Sequence, residues 1–398
     1  MKTSLRRAEK QVLGGSFALA LLLGGLGWLV AGANTSLPIA PAPAPPSPNG
    51  FDLYVAAARA IVPANPPVDP VNDSTIRTPT QAALLYTSKR RSAWLNGNAA
   101  AWKLFRQAQA AQCLHPAKPV MPYGMLRELA RGKTIEAKEW KSRGQWNRAM
   151  GSALETVEMG HDIERGAPLI GGLVGVAITH IGAASGADVP PHLSAKEAAQ
   201  NARRLETLMA GSVGLSAILR EEKRAIQINV LSRKTGFIAS VLRPPHRVAA
   251  SVGTMIDAFI AQVDKPFPAQ TIPPKPAGWF AAEAAMLYPI FTRASFNWAR
   301  RTATEQQLLL RLALRAYRLD NGAYPQNLAR LAPHYLAHVP LDPFGRGAWR
   351  YKREGDSYLA WSIGPDGKDD GGTSIKPRKA GKRIVIYQDS AGDTVAAP

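Results

Sequence analysis

The pattern of apolar and polar residues divides this chain into three regions. An uncharged N-terminal stretch is followed by a long region of helical periodicity and a C-terminal region of short alternating segments. Residues 12–33 carry no charged side chain and are rich in Leu and Gly. About 20 apolar residues, at 1.5 Å per residue in a helix, span a bilayer core of about 30 Å. Residues 12–33 are therefore predicted to form a transmembrane anchor.

The charges before this stretch predict its orientation. Residues 1–11 contain four basic side chains and one acidic side chain, Glu9, and basic flanks favour the cytoplasmic side. We expect a cytoplasmic tail at 1–11, a single pass through the inner membrane, and the bulk of the chain outside the cytoplasm. The alternative is a cleaved signal peptide, because residues 31–33 (AGA) fit a signal peptidase site. The length of the apolar run favours an uncleaved anchor.

Residues 34–50 are rich in alternating Pro, which blocks helix formation and favours polyproline II. This composition predicts a semi-rigid linker between the membrane and the next domain.

Residues 51–290 are predicted to form a helical domain. Ser194 and Glu197 have capping-box spacing and indicate a helix that begins at Ser194 and continues to about Arg233. Residues 63–80 are predicted to be a loop, and the Pro-rich residues 264–278 a domain boundary. The other predicted helices cover 51–62, 81–95, 98–113, 121–131, 134–165 and 246–263.

Residues 167–187 are uncharged and pose the question of a second membrane span. The dense apolar part, 169–181, is about 20 Å long as a helix, short of the roughly 30 Å required. We therefore predict a buried core helix here.

The charge balance adds little about binding partners. The formal net charge is +20, which suits anionic neighbours but also fits Arg used for solvation. The sequence has no interleaved basic and aromatic motif, and its one cysteine excludes a zinc finger, so no nucleic-acid partner is expected. Cys113 is interpreted as a small buried hydrophobic residue.

Four residues in the helical domain suggest a weak metal or catalytic site. Glu158 and His161 form an E-x-x-H pair, and Glu155 and Asp162 lie within two turns of it. Di-iron bundles need two such pairs, and the sequence has only one. The favoured interpretation is a solvated helix face that forms a salt bridge with Arg165.

The remaining chemical motifs are sparse. His334 and His338 have i,i+4 spacing, but Pro333 and Pro340 bracket them. No nucleophile elbow, phosphate-binding loop or zinc-protease motif is present. The sequence therefore predicts a protein that is not an enzyme.

The C-terminal region begins with an amphipathic helix at 296–320, in which arginines flank an apolar stripe that includes Leu309. Asn321 and Gly322 are expected to end this helix. A strand is predicted at 348–352, a turn at 354–356, a second strand at 357–363 and a third strand at 382–388.

Three motifs in this region resemble the globular domain of the major type II secretion pseudopilin. They are DNGAYP at 320–325, PLDPFG at 340–345 and SIGPDG at 362–367. The resemblance implies a helix packed on an antiparallel sheet for residues 291–398. Pseudopilins carry this domain directly behind the membrane helix that builds their filament. Here residues 34–290 intervene, and no acid stands at the fifth position after Gly14 or Gly15, so the pilin leader is missing.

The pseudopilin resemblance also implies calcium, which that family binds in the loop after the last motif. Asp366, Asp369 and Asp370 lie within five residues among several glycines, and calcium prefers carboxylate and carbonyl oxygens from a flexible loop. Asp366 matches the acidic residue of the family's loop. We expect these three residues to be the candidate calcium ligands.

These observations together predict a mainly α protein with a small α+β C-terminal domain and an N-terminal transmembrane helix. The function expected is that of a membrane-anchored envelope protein with a non-enzymatic scaffold or binding role. Its partners would be the membrane and other envelope or secretion proteins. Two alternatives stay open: an accessory component of a type II secretion or pilus-like machine, and an enzyme or metal-binding protein with its site in the helical domain.

Overall fold

The computed structural model describes residues 39, 41–62, 87–116, 122–234, 242–375, 378–380, 383–385 and 390–397. This part of the chain is mainly helical and carries a small antiparallel sheet near the C-terminal end. The helices are α1 Gly50–Ala60, α2 Ser88–Gly97, α3 Ala99–Ala110, α4 Tyr123–Ser142, α5 Trp146–Glu164, α6 Leu169–Gly186, α7 Ala195–Ala210, α8 Leu215–Ser232, α9 Pro245–Val263 and α10 Ala282–Asn321. The strands are β1 Arg350–Glu354, β2 Ser357–Ser362, β3 Arg378–Ala380, β4 Arg383–Val385 and β5 Thr394–Ala396.

Helix α6 lies at the centre of the fold and contributes to three apolar clusters. Ile178 packs with residues of α1 to α5, Val176 packs with residues of α8, α9 and α10, and Ala183 packs with residues of α5, α7 and α10. Within the described ranges, Leu169–His192 is the one segment long and apolar enough to cross a membrane, and 61% of its most apolar window is buried. The prediction of a buried core helix is confirmed.

Glycines allow α5 and α6 to approach each other closely. A Cβ atom on Gly160 would lie 2.8 Å from the carbonyl oxygen of Gly175 and 2.3 Å from Oγ1 of Thr179. A Cβ atom on Gly175 would lie 2.6 Å from the carbonyl oxygen of Gly160. Because such distances are below ordinary van der Waals contact, only glycine permits this packing. The Gly-rich composition of α6 therefore serves helix packing.

Helix α10 connects the helical region to the sheet. Its 40 residues correspond to a length of about 60 Å. The first half packs on α8 and α9, with the rings of Phe291 and Phe259 5.6 Å apart. The second half packs on α5, α7 and the sheet, and Gly322 ends the helix with φ +74°, as predicted. The domain boundary predicted between 290 and 291 falls inside this helix.

The sheet consists of β1, β2 and β5 in antiparallel order. Glu354 pairs with Ser357 across a tight turn in which Gly355 has φ +60°. Tyr358 and Ala360 are buried and belong to the same apolar cluster as α10. The predicted hairpin is confirmed, although β1 begins two residues later than expected.

The prediction of the third strand is corrected. Residues 383–385 do form a strand, but it pairs with β3 in a separate two-stranded sheet. The third strand of the main sheet is β5, which pairs with β2. Short strands without clear alternation carry little periodic signal, so sequence analysis missed β5.

Two long helices predicted from the sequence are each divided in two. Residues 134–165 belong to α4 and α5, which are separated by a turn at Gly144 with φ +69°. Residues 194–233 belong to α7 and α8, which are separated at 211–214. The capping box of Ser194 and Glu197 is confirmed at the start of α7.

Several predictions fall outside the described residues. They are the cytoplasmic tail at 1–11, the membrane anchor at 12–33, residues 34–38 and 40 of the linker, and the loop at 63–80.

Candidate functional site

The acidic residues of the predicted metal site on α5 point to different neighbours. Glu155 forms an ion pair of 2.7 Å with Lys133 of α4. Glu158 forms an ion pair of 3.0 Å with Arg204 of α7 and accepts a hydrogen bond of 3.2 Å from the side-chain amide of Gln109. Glu155 and Glu158 contact different helices, so these two carboxylates do not share a site.

The two other predicted ligands also diverge. Asp162 accepts a hydrogen bond of 2.9 Å from the hydroxyl of Tyr54 in α1, and burial raises its pKa to about 6. His161 contacts the carboxylate of Glu305 in α10, with Nε2 and Oε1 2.5 Å apart. Throughout the described ranges, no group of three or more His, Cys, Asp or Glu side chains lies where it could hold a metal ion. The four residues therefore connect α5 to five other helices, α1, α3, α4, α7 and α10.

His161 belongs to a set of four charged side chains enclosed between α5 and α10, which we call the buried ionic network. Its members are His161, Glu164, Arg301 and Glu305. Glu164 pairs with the guanidinium of Arg301, whose Nε lies 3.6 Å from Oε2 of Glu305. The side chains of all four are at most 4% exposed. Two helical repeats produce this alignment, i,i+3 on α5 and i,i+4 on α10.

The hydrogen bonds of the buried ionic network determine which atoms of His161 and Glu305 can carry a proton. Nδ1 of His161 donates a hydrogen bond of 3.0 Å to the carbonyl of Leu208 at the end of α7. The contact between Nε2 and Glu305 therefore requires a proton on that nitrogen or on the carboxyl group, since a neutral imidazole has only one N–H. With the proton on either group, the positive and negative charges of the four side chains balance when Glu164 is ionised.

Burial also shifts the protonation of Glu164 and His180. Desolvation raises the pKa of Glu164 to about 7, even though the guanidinium of Arg301 opposes the shift. His180 on α6 has its pKa lowered to about 4, mainly by burial and also by nearby Arg300. A carboxyl group poised near neutrality can exchange a proton, but its 0% exposed side chain leaves no path for a substrate. The arrangement acts as an electrostatic connection between α5 and α10.

Asp342 is the centre of the C-terminal motifs. Its buried carboxylate accepts hydrogen bonds of 2.9 Å from the backbone N–H of Phe344, 2.6 Å from the hydroxyl of Ser362 and 3.0 Å from the backbone N–H of Ile363. Arg350 lies 3.5 Å away. The second and third sequence motifs are thereby joined through one side chain, a role that the sequence analysis did not assign.

The three predicted calcium ligands lie in different environments. Asp366 accepts a hydrogen bond of 3.2 Å from the backbone N–H of Lys368. Asp369 accepts a hydrogen bond of 2.8 Å from the indole N–H of Trp361 and lies 3.0 Å from Arg350, and these groups lower its pKa. The side chain of Asp370 accepts a hydrogen bond of 3.0 Å from the backbone N–H of Gly392.

A fourth acid, Asp393, reaches this loop from the far end of the chain. Its buried carboxylate accepts hydrogen bonds from the backbone N–H groups of Gly372 at 2.7 Å and Asp370 at 3.4 Å. Burial raises its pKa, and the neighbouring Asp369 and Asp370 add to the shift. Calcium binding by Asp366, Asp369 and Asp370 stays a prediction, and Asp393 is a residue near the loop that the sequence alone did not connect with it.

The remaining residues considered from the sequence carry no shared site. His334 and His338 are exposed in an irregular segment, and His334 contacts the ring of Tyr335. Cys113 is buried after the end of α3, and its pKa is raised by that burial.

Comparisons with known proteins give no further guidance, because no protein-family model, no curated protein and no solved structure matches the chain.

Proposed function

We propose that this chain is a membrane-anchored envelope protein with a non-enzymatic scaffold role, in which a pseudopilin-like unit is fixed to a helical body. The observation that carries the proposal is the position of α10. Phe291, Ala294 and Trp298 in its first half are buried in the apolar cluster formed with α6, α8 and α9.

This burial separates the chain from a filament subunit. In pseudopilins the helix before the globular domain is the membrane helix that builds the filament. Here the corresponding part of α10 packs within the same polypeptide, and the buried ionic network adds a charged connection to α5. Phe291, Ala294 and Trp298 are therefore not available to pack against neighbouring subunits. The pseudopilin-like unit therefore serves as a fixed docking element of the scaffold.

The anchor in this proposal is the uncharged segment 12–33. Basic residues in 1–11 keep the N-terminus in the cytoplasm, and residues after 34 lie outside it. The proposed partners are the membrane itself and other proteins of the envelope or of a secretion machine.

Protease treatment of spheroplasts tests the anchor and its orientation. The full chain with a C-terminal epitope tag should lose the tag when protease is added from outside, and it should resist alkaline extraction from membranes. Deletion of 12–33 should release the chain from the membrane fraction, which controls for adhesion by the basic body. A tag protected in intact spheroplasts but cleaved after lysis would contradict the topology.

Co-expression with a prepilin peptidase and shearing of surface filaments tests the scaffold role. The proposal expects an unchanged N-terminus and no full-length chain in the sheared fraction. A new N-terminus at Gly15 or Ser16, together with chain in the filaments, would show a pilin-like subunit.

A further inference from the structure

A small cleft lies where the helical body meets the sheet unit. Its walls are the segment after α6, the second half of α10, Tyr324 just after α10, and Tyr358 of β2. Its volume is about 130 Å³, several times the roughly 30 Å³ that a water molecule occupies in the liquid. Arg311, Arg315 and Arg318 line one side, and Tyr324 and Tyr358 line another. We call it the arginine cleft.

Helical spacing places the three positive charges on one face of α10. Arg311 and Arg315 are four residues apart, and Arg318 follows three residues later, so consecutive members are neighbours on the helix surface. Like charges at these spacings repel and destabilise a helix. None of the three forms an ion pair with a carboxylate in the part of the chain that the structure describes. The cleft therefore concentrates three positive charges, of which only that of Arg318 is near the negative charge of Asp356.

Backbone carbonyls hold the guanidinium groups in place. Arg311 donates to the carbonyl of Ala187 at 2.9 Å, and Arg315 donates to that of Leu193 at 3.1 Å. Arg318 donates to the backbone carbonyl of Asp356 at 2.7 Å. These acceptors carry no charge, so they orient the side chains without neutralising Arg311 and Arg315.

Each arginine keeps hydrogen-bond donors for a ligand. A guanidinium has five N–H groups, and the carbonyl contacts occupy only part of them. Nε of Arg311 is buried and has no hydrogen-bond acceptor. Arg318 lies over the ring of Tyr324, 4.8 Å from its centre, which fixes the plane of its fork. The cleft thus presents oriented donors before any ligand arrives.

We propose that the arginine cleft binds the phosphoryl group of a phosphomonoester. A phosphomonoester carries close to two negative charges at neutral pH and three acceptor oxygens, and arginine forks match these oxygens in bidentate geometry. A carboxylate is satisfied by one fork, and a phosphodiester has a single charge. Pro190, Pro191 and the tyrosine rings offer apolar walls to the group that carries the phosphoryl.

Calorimetry on the detergent-solubilised full chain tests this proposal with five probes. Phenyl phosphate and inorganic phosphate should bind, whereas dimethyl phosphate and benzoate should bind at least about tenfold more weakly. Dihexanoyl phosphatidic acid distinguishes the source of the phosphomonoester. Binding tighter than phenyl phosphate indicates a lipid headgroup, and weaker binding indicates a soluble compound. Equal binding of dimethyl phosphate, or no heat with any phosphate, would overturn the proposal.

Variants locate the site and exclude general charge attraction. Arg315→Gln should weaken phenyl phosphate binding by about 10- to 100-fold, the effect of removing a charge-assisted hydrogen bond. Arg203→Gln removes the same charge from an exposed position on α7 and should leave binding unchanged. Arg318→Lys keeps the positive charge but loses the paired N–H groups of the guanidinium, so it should also weaken phenyl phosphate binding. This variant tests the site if Arg315→Gln fails to fold. An equal loss in Arg203→Gln would overturn the assignment of the cleft.

Discussion

Arg301 supplies the central positive charge of the buried ionic network, and replacing it with Met is the perturbation that tests the packing of α10 most sharply. Its guanidinium faces Glu164 and Glu305, and both carboxylates are shielded from water. In Arg301→Met these two acids share only the imidazole of His161, so one negative charge is left without a partner.

The expected loss of stability is large because the charge cannot be solvated. Removing one partner of a buried ion pair typically costs about 3–5 kcal/mol, and Arg301 contacts two acids. Methionine fills a similar volume, so little of the loss comes from a cavity. We expect Arg301→Met to lower the free energy of unfolding by about 3–5 kcal/mol at pH 8.

The loss should depend on pH through Glu164. Burial already raises its folded-state pKa to about 7 from an ordinary 4.5, so its contribution to stability is full below about pH 4.5 and is lost as the pH rises through 7. Without Arg301 the folded-state pKa rises further, because the guanidinium no longer favours the carboxylate. The variant should therefore lose less stability at pH 5.5 than at pH 8.

The assay is urea unfolding of the detergent-solubilised full chain, followed by far-UV circular dichroism. Arg204→Met is the matched control, since its pair with Glu158 is 39% and 27% exposed and should contribute only about 0–1 kcal/mol. The double variant Arg301→Met/Glu164→Met also removes the carboxylate that Arg301 no longer neutralises. Its free energy of unfolding should be about 2 kcal/mol or more above that of Arg301→Met alone. The reasoning is refuted if Arg301→Met behaves like Arg204→Met, or if its cost is the same at both pH values.

Three further predictions address packing, the C-terminal motifs and calcium. Gly160→Ala should destabilise the protein by about 1–3 kcal/mol in urea unfolding, because its Cβ would meet Gly175 and Thr179. The control Gly151→Ala has no neighbouring atom within 4 Å of its Cβ and should be neutral or slightly stabilising, so equal effects of the two changes would contradict the close packing of α5 and α6. Asp342→Ala should lower the free energy of unfolding by about 2–4 kcal/mol, because three hydrogen-bond donors lose their acceptor. The control Asp356→Ala should change it little, and an equally small change for Asp342→Ala would show that Asp342 does not join the C-terminal motifs. Calcium in millimolar excess should stabilise the full chain by about 2.7 kcal/mol at 100 times the Kd, which thermal unfolding should record as a higher midpoint temperature, and Asp366→Ala should abolish the rise. An unchanged midpoint in thermal unfolding, together with no heat of binding in calorimetry, would exclude calcium from the loop.

Local signals in the sequence were sufficient for elements with strong periodicity or specific turn chemistry. The capping box of Ser194 and Glu197, the end of α10 at Gly322 and the hairpin turn at Gly355 were predicted at the correct positions. Each depends on residues close in sequence, so local physics determines it. The breaks at 143–145 and 211–214 coincide with Gly144, Gly211 and Gly214, which the sequence analysis did not interpret as helix ends.

The buried ionic network was not predicted because it depends on contacts between distant parts of the chain. His161 and Glu305 are 144 positions apart in sequence, and the helix face of His161 was interpreted as solvated. A signal was nevertheless present on α10. The apolar stripe that includes Leu309 continues backward at intervals of four to Glu305 and Arg301, so two charged residues occupy the buried face. Charged residues on the apolar face of a helix indicate a buried ion pair rather than a surface ion pair.

The arginine cleft shows the same limitation at the surface. The sequence showed arginines beside the apolar stripe of α10 but gave no indication of what faces them. Only the fold brings Pro190, Pro191 and Tyr358 to the same place. Asp393 likewise reaches the acidic loop through the pairing of β5 with β2, which no local pattern predicted.

The proposed scaffold role requires the first half of α10 to be enclosed by α6, α8 and α9, so that the C-terminal sheet is fixed to the helices. Hydrogen exchange of the full chain, measured by mass spectrometry, tests it most directly. Amides of residues 291–300 should exchange as slowly as those in the middle of α5, because buried segments of one core open only by global unfolding. Fast exchange across 282–300, with protection confined to residues after 305, would show that α10 is free of the helical body and would contradict the claim.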